Sequence, residues 1–300
     1  MTAADIAHAL GHARREGRAW RCRCPLHGGR SLTLRNGDGG RILVTCWSGC
    51  DRLDVLAELR RLKLLDWNAP DYRPTTTPRE DNSARCAERT ARALAIWRDA
   101  KPIQKTVIET YLRSRGIAFD AWPDTLRFHP YCPHPSGVRL PALVALVERA
   151  GTGPVAAHRT FVRADGSGKA LVEPDKASLG PVGGGAVRCG VPREGEWLAI
   201  TEGIETALSI ASACGLPTWA ALSAGGVQQL VLPPETRMVL LCADHDQSGT
   251  GQRAAETAAR RWLADDRRVR IALPPLGCDF NDVLRGGTMQ AVIKEARRVA

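Results

Sequence analysis

WLAITEGIETALS (197–209) and RMVLLCADHDQSGTG (237–251) are the two stretches that decide the fold of this 300-residue chain. Each opens with a short apolar run, passes through a turn that carries acids, and enters a segment with helical spacing. LPTWAAL (216–222) and RRVRIALPP (267–275) supply two more apolar runs. Apolar strands that alternate with helices are typical of a parallel sheet buried on both faces. The sequence therefore predicts an α/β domain with helices flanking a parallel sheet over 191–300.

Acidic residues follow three of these predicted strands. Glu202 follows the first strand, Asp244 and Asp246 follow the third, and Asp279 and Asp282 follow the fourth. The carboxyl ends of parallel strands meet at one edge of a sheet, so we expect these acids to converge. A cluster of like charges is costly unless a cation neutralises it, and oxygen ligands of this kind suit Mg²⁺ or Mn²⁺. Each acid taken alone has another explanation, since Asp and Glu also cap helices at such turns.

The order of these acids resembles a Toprim domain, which has Glu-Gly after the first strand, Asp-x-Asp after the third and a later Asp. That fold is shared by bacterial-type primases, type IA and II topoisomerases, some nucleases and recombination mediators of the RecR kind. TEGIETALS (201–209) and CDFNDVL (278–284) are most similar to the Toprim primases of phages, plasmids and other mobile elements. The resemblance implies that Glu202 acts in acid–base chemistry or metal binding and that Asp244 and Asp246 hold Mg²⁺.

The same resemblance gives Asp279 a role in supporting a second metal site. The chain departs from many cellular primases at one position. They carry an acid four residues after the first Glu, where this sequence has Thr206, with Glu205 beside it. The number and arrangement of the catalytic metals are therefore left open.

Cysteines crowd into the N-terminal part of the sequence. Cys24-Pro-Leu-His27 and Cys46-Trp-Ser-Gly-Cys50 form two close pairs, separated by the predicted strands SLTLR (31–35) and RILVTC (41–46). A set of three Cys and one His completes a tetrahedral structural Zn²⁺ site. Cys22 is an alternative ligand. We therefore predict a zinc ribbon in a first domain over 1–66.

This zinc module resembles the zinc-binding domain (CHC2-like) at the N-terminus of bacterial-type primases, which grips single-stranded template. The resemblance implies that arginines of the module contact phosphates and that Trp47 stacks on a base, as in other proteins that bind single strands. Trp47 in the core is the alternative. The arginines are Arg21, Arg23, Arg30 and Arg41.

The charge of the chain is unevenly distributed. The net charge is +10, with +5 over 1–66, +6 over 67–190 and −1 over 191–300. A basic surface attracts a polyanion such as nucleic acid, although an abundance of Arg for other reasons would give the same count. Residues 67–82, rich in Pro and Thr, are predicted to be a linker, and 83–190 a mixed α+β domain.

Three segments of this middle domain also resemble primases. TYLRSRGI (110–117) is similar to the start of the catalytic core, and HRTFVRADGSGKA (158–170) with KASLGPVGGGAVR (176–188) is similar to its basic N-terminal half. The resemblance implies that template and incoming nucleotides are held by Arg159, Lys169 and Lys176. An ordinary solvated surface is the alternative reading of these three side chains.

The resemblance as a whole implies a DNA primase that makes short RNA primers on single-stranded DNA from ribonucleoside triphosphates. The reaction is metal-dependent nucleotidyl transfer, and a separate replicative helicase is expected because the sequence shows no P-loop. A Toprim recombination mediator that binds DNA without catalysis and a Toprim nuclease are the alternatives. No apolar stretch approaches the roughly 20 residues of a membrane span, and no secretory signal is evident, so we expect a cytoplasmic protein without a membrane partner.

Overall fold

The computed structural model describes residues 1–26, 28–37, 40–46, 50, 52–65, 79–245, 249–294 and 297–298. By their internal contacts they divide into two compact units, one within 1–77 and one within 78–300 (223–225 aside). None of the described helices is long and apolar enough to cross a membrane.

The N-terminal unit is a small antiparallel sheet with two helices. Its elements are α1 (Ala3–Leu10), β1 (Arg14–Glu16), β2 (Ala19–Cys22), β3 (Leu32–Asn36), β4 (Ile42–Cys46) and α2 (Arg52–Arg61). The strands pair in the order β1-β2-β3-β4. Alternation buries Leu32 and Leu34 of β3 and Val44 of β4 against Ile6 of α1, as period-2 patterning requires. The two strands predicted around 31–46 are confirmed.

Helix α1 ends at Leu10, because Gly11 adopts φ +83 and the chain turns into β1. Thr2 and Asp5 form a capping box at its start.

The C-terminal unit contains seven helices and ten strands among the described residues. Its elements before the parallel sheet are α3 (Arg79–Asp99), α4 (Val107–Ser114), β5 (Leu126–Pro133), β6 (Arg139–Arg149), β7 (Gly153–Phe161), β8 (Lys176–Leu179) and β9 (Gly185–Arg188). The rest are β10 (Trp197–Thr201), α5 (Ile204–Cys214), β11 (Thr218–Ala220), α6 (Ala224–Gln229), β12 (Met238–Cys242), α7 (Thr250–Ala264), β13 (Arg268–Ala272), α8 (Phe280–Arg285), α9 (Met289–Lys294) and β14 (Arg297–Arg298).

The parallel sheet predicted from the sequence is confirmed. Strand β10 pairs in parallel with β11 on one side and with β12 on the other, and β12 pairs in parallel with β13. The apolar strand residues are buried on both faces, between α7 on one side and α5, α8 and α9 on the other. Such burial explains why these strands read as continuous apolar runs.

Strand β9 continues this sheet into the preceding segment. It pairs antiparallel with β11 through Trp219↔Arg188 and with β6 through Glu148↔Ala186. The result is one ten-stranded sheet in the order β14-β13-β12-β10-β11-β9-β6-β7-β8, with β5 also on β6. The sequence did not reveal β9, because four residues of GAVR carry too little pattern.

Helix α3 lies across the antiparallel half of the sheet. It begins at Arg79, within the segment 67–82 predicted to be a linker, and packs mainly on β7. Its buried contact is made by Ala93, which joins Phe161 and Ala157 in one apolar cluster. Helices α4 and α5 cover the opposite face, where Tyr111, Leu112 and Leu208 belong to a second cluster.

Candidate active site and thiol cluster

Strand register places the first acids at one edge of the sheet. Thr201 of β10 is opposite Cys242 of β12, which is opposite Ala272 of β13. Glu202 directly follows β10, and Asp244 comes two residues after β12. Both acids therefore leave the sheet at its carboxyl edge, the edge at which α/β proteins commonly form their sites.

Gly251 shows how closely the two acids approach. An ideal Cβ at position 251 would lie 2.8 Å from the Asp244 carbonyl oxygen and 3.0 Å from Glu202 Oε1. Gly251 is buried in the first turn of α7, so the helix start fits between the two acids only without a side chain. The Glu202 carboxylate and the Asp244 backbone thus both lie beside Gly251, and convergence of the two carboxylates on a metal stays a prediction. Asp246 lies outside the described residues.

The loop after β13 reaches the same edge. His245 Nδ1 lies 2.8 Å from the Pro274 carbonyl oxygen, and the Gly277 amide donates to the His245 carbonyl oxygen at 3.2 Å. These contacts hold the segment that precedes Asp279 beside the residue that follows Asp244. Sequence reasoning did not identify His245 as the residue that joins the two loops.

Asp279 and Asp282 form a capping box at the start of α8. Asp279 Oδ1 accepts from the Asp282 amide at 2.9 Å, and Asp282 Oδ2 accepts from the Asp279 amide at 3.2 Å. One oxygen of each carboxylate is thus used to stabilise the helix start. Metal binding by these two acids stays a prediction.

Asn281, between these two acids, is a structural residue that sequence reasoning missed. Its side chain is buried and donates to the Arg115 carbonyl oxygen at 2.8 Å and to Ser209 Oγ at 3.1 Å. It therefore ties α8 to α5 and to the end of α4. The available signal in the sequence was the uncharged amide between the acids of CDFND. When such an amide is buried, it needs hydrogen-bond partners like these.

The donor chemistry at this edge fits a divalent cation. Glu202 and Asp244 offer hard carboxylate oxygens, the ligands that Mg²⁺ and Mn²⁺ take in proteins. Both residues are partly exposed, so a ligand can reach them from solvent. The residues present are compatible with the expected metal.

The three basic residues predicted to hold template and nucleotides have different surroundings. Arg159 is buried, and its guanidinium donates to the carbonyl oxygens of Pro133 and Ala177. Lys169 and Lys176 are about one third exposed and pair with Asp175 (3.1 Å) and Glu205 (3.2 Å). Arg159 thus has structural partners, while the two lysines remain accessible to solvent. Their roles in binding stay predictions.

Glu205 is the centre of a buried polar network. Its Oε1 accepts from the Tyr111 hydroxyl at 3.1 Å, and its Oε2 accepts from Lys176 Nζ. Burial alone would raise the pKa of the Glu205 carboxyl, but the charges of Lys176 and Lys169 and the hydrogen bonds to the carboxylate together outweigh burial and lower the pKa to about 2. Burial would lower the pKa of Lys176, but the charge and hydrogen bond of Glu205 together with the charge of Asp175 outweigh burial, so that the pKa is raised. Both partners are charged at neutral pH.

His158 lies beside this network in its neutral form. Its Nδ1 is 2.9 Å from Ser178 Oγ. Burial, and then the charge of Lys176, lower the pKa of His158 from 6.5 to about 4. The neutral ring is therefore the form that the fold accommodates.

Acid should destabilise the C-terminal unit through His158. In the unfolded chain His158 takes up a proton below pH 6.5, whereas in the folded chain it does so only near pH 4. Its contribution to the free energy of unfolding is therefore full above pH 6.5 and is lost as pH falls to about 4. We expect a loss on the order of 3 kcal/mol over that interval. Urea titrations at pH 7 and pH 4.5 should show a smaller loss for His158→Gln than for wild type. The exposed His8→Gln serves as control, and an equal loss in all three proteins would contradict the prediction.

Three of the predicted zinc ligands come together in the N-terminal unit. The Sγ atoms of Cys24, Cys46 and Cys50 all lie within 4.8 Å of one another, and that of Cys24 is 3.9 Å from that of Cys50. A tetrahedral site with Zn–S bonds of about 2.3 Å separates its sulfurs by about 3.8 Å, so the spacing fits. A hydrogen bond with Cys46 and burial raise the pKa of the Cys24 thiol, which means that thiolates here need a cation. His27 lies outside the described residues.

Cys22, the alternative ligand, is not part of this thiol cluster among the described residues. It is buried in the apolar core of the unit, and burial raises the pKa of its thiol to about 11. Ser31, which sequence reasoning did not single out, places its Oγ 3.4 Å from Cys46 Sγ.

The arginines predicted to contact phosphates occupy the surface of this unit. Arg23 and Arg30 are exposed, and Arg21 and Arg41 are partly exposed. Arg21 Nε donates to the Arg30 carbonyl oxygen at 3.0 Å. Their contact with nucleic acid stays a prediction, and Trp47 lies outside the described residues.

Two family models match the C-terminal unit. The model described as Toprim domain matches residues 197–288, which contain the four parallel strands and both Glu202 and Asp244. Residues 197–288 form a Toprim domain. A model described as a domain of unknown function (DUF7146) matches residues 87–189, the segment that precedes the Toprim domain and pairs with it through β9.

Solved structures similar to this chain include several primases. The zinc-binding and RNA polymerase domains of Aquifex aeolicus primase are 14% identical, with 100% of this chain and 84% of that chain covered and a TM-score of 0.46. The DnaG catalytic core is 16% identical (71% and 80% covered, TM-score 0.49). The primase fragment of the bacteriophage T7 primase-helicase protein is 16% identical (65% and 78% covered, TM-score 0.43). No curated protein matches the chain.

Proposed function

We propose that this chain is a DNA primase that synthesises short RNA primers on single-stranded DNA, for replication of a chromosome or a mobile element. The observation that carries the proposal is the meeting of Glu202 and Asp244 around Gly251 at the carboxyl edge of the Toprim domain. Hard carboxylate ligands at such an edge suit metal-dependent phosphoryl transfer. The thiol cluster in the N-terminal unit supports a primase over a Toprim nuclease, which would have no need of it.

In the proposed reaction, the 3′-hydroxyl of the growing primer attacks the α-phosphate of a ribonucleoside triphosphate and pyrophosphate leaves. Mg²⁺ or Mn²⁺ bound by Asp244, Asp246 and Glu202, with Asp279 and Asp282 nearby, would polarise the phosphate oxygens and favour ionisation of the hydroxyl. Glu202 would accept the hydroxyl proton. Lys169 and Lys176 would donate to the triphosphate, and the arginines of the N-terminal unit to the template backbone.

A primer synthesis assay tests the proposal directly. Purified full-length chain, single-stranded DNA, the four ribonucleoside triphosphates and Mg²⁺ should give short RNA products. Degradation of the DNA without RNA products would favour the nuclease. DNA binding with neither reaction would favour the recombination mediator. A separate helicase as partner and a cytoplasmic location belong to the same proposal.

We also propose that Zn²⁺ is bound by Cys24, Cys46 and Cys50, with His27 as fourth ligand. Binding energy on the order of 10–16 kcal/mol would dominate the folding of a unit with so small a core. Cys50→Ser should therefore lose the bound zinc, measured by atomic emission, and make residues 1–65 sensitive to proteolysis. Cys86→Ser is the matched control, since Cys86 is exposed on α3. Full zinc content in Cys50→Ser would contradict the assignment.

A further inference from the structure

Glu205 makes a polar contact that joins the start of α5 to strand β8. Glu205 is 6% exposed, and its carboxylate bridges the Tyr111 hydroxyl and the Lys176 ammonium. Tyr111 belongs to α4, so the carboxylate links three elements that lie far apart in sequence. A buried carboxylate needs such partners, because charge is costly to remove from water.

The position of Glu205 in the sequence would also suit a metal ligand. It lies three residues after Glu202 and next to Thr206, where related primases have an acid. The structure shows a different environment, since each of its two oxygens accepts a hydrogen bond from a side chain. A carboxylate held in this way by an ammonium has its negative charge already neutralised.

Lys176 is the partner that can reach a ligand. It lies on β8, an edge strand of the sheet, and pairs with Thr160 of β7. Its side chain is 33% exposed, against 9% for the side chain of Glu205. An ammonium has three N–H donors, and the contact with Glu205 needs one of them.

We propose that Glu205 is a positioning residue that orients the Lys176 ammonium toward the triphosphate of the incoming nucleotide. The inference rests on the proposed primase function. A lysine side chain is flexible, and ordering it on binding costs conformational entropy. When Glu205 already holds Lys176 in one orientation, binding of the nucleotide no longer has to offset that cost. Glu205 thus acts on the nucleotide through Lys176 and not by binding metal.

Steady-state kinetics with ATP test the inference. Glu205→Gln should raise KM on the order of tenfold, the size of one charge-assisted hydrogen bond, with kcat little changed. Lys176→Met should raise KM similarly, and the double variant should be no worse than Lys176→Met alone, because both changes remove the same interaction. Tyr111→Phe is the matched control: it removes the other hydrogen bond to the carboxylate, and KM should stay within about twofold. Additive effects in the double variant would overturn the inference.

Two binding measurements separate this inference from the proposed function. Mn²⁺ binding to the full chain, followed by electron paramagnetic resonance, should be unchanged in Glu205→Gln and weakened in Asp244→Asn. Equal weakening in both would make Glu205 a metal ligand and overturn the inference. Equilibrium binding of ATP, measured by calorimetry, should show the same non-additivity between Glu205 and Lys176. If wild type makes no primers but the coupling is present, primer synthesis fails as the function and the positioning role stands.

Discussion

Asp244→Asn and Glu202→Gln should each reduce the rate of primer synthesis by about 10³-fold or more, with the fold retained. Both replacements keep the size of the side chain and remove its negative charge, and the two residues meet at Gly251. Loss of a hard anionic ligand weakens metal binding, and loss of Glu202 also removes the proposed proton acceptor. The rate is best measured in a single turnover, with labelled ATP and excess enzyme.

Asp120→Asn is the matched control for these variants, since Asp120 is exposed in the same unit. It should synthesise primers at the wild-type rate. Circular dichroism should give the same spectrum for all four proteins. Full activity in Asp244→Asn and Glu202→Gln would show that the catalytic assignment is wrong.

Gly251→Ala should lower primer synthesis by about 10²-fold, although position 251 bears no reactive group. The added methyl would lie 2.8 Å from the Asp244 carbonyl oxygen and 3.0 Å from Glu202 Oε1. Distances this short force α7 away from the two acids or displace the Glu202 carboxylate. Overpacking of this kind also costs about 1–3 kcal/mol of stability.

Gly286→Ala provides the comparison for Gly251→Ala. The nearest atom to its added methyl would be the Asp282 carbonyl oxygen at 3.4 Å, an ordinary contact, and its backbone is helical. Primer synthesis by Gly286→Ala should equal that of wild type. The measurement is the single-turnover rate at saturating ATP, with urea denaturation to report stability. Primer synthesis at the wild-type rate by Gly251→Ala would contradict the prediction, because catalysis would then tolerate the displacement of α7.

The parts of the fold that the sequence predicted are those with a local signature. Strands β10, β12 and β13 were recognisable because burial on both faces requires a continuous apolar run. The predicted position of the acids followed from these strands, since the carboxyl ends of parallel strands lie at one edge of a sheet. The thiol cluster was equally visible, because Cys24, Cys46 and Cys50 occur as close pairs.

The contacts that depend on distant residues could not be predicted. Glu205 and Lys176 are 29 positions apart, and Glu205 and Tyr111 are 94 apart. The hydrophobic periodicity of the sequence does not show which charged side chain on one element contacts which charged side chain on another. Arg159 shows the same limit: the backbone carbonyl oxygens that its guanidinium contacts could not be predicted from the sequence.

Strand β9 has a consequence for how this protein can be divided. Its four residues hydrogen-bond to β11 on one side and to β6 on the other, so the segments matched by the two family models share one sheet. A fragment cut between them would expose the edge of β11 or of β9, and open edges of this kind recruit other chains into aggregates. The boundary between the two family models is thus not a folding boundary. We therefore expect the two segments to fold correctly only when they are expressed together.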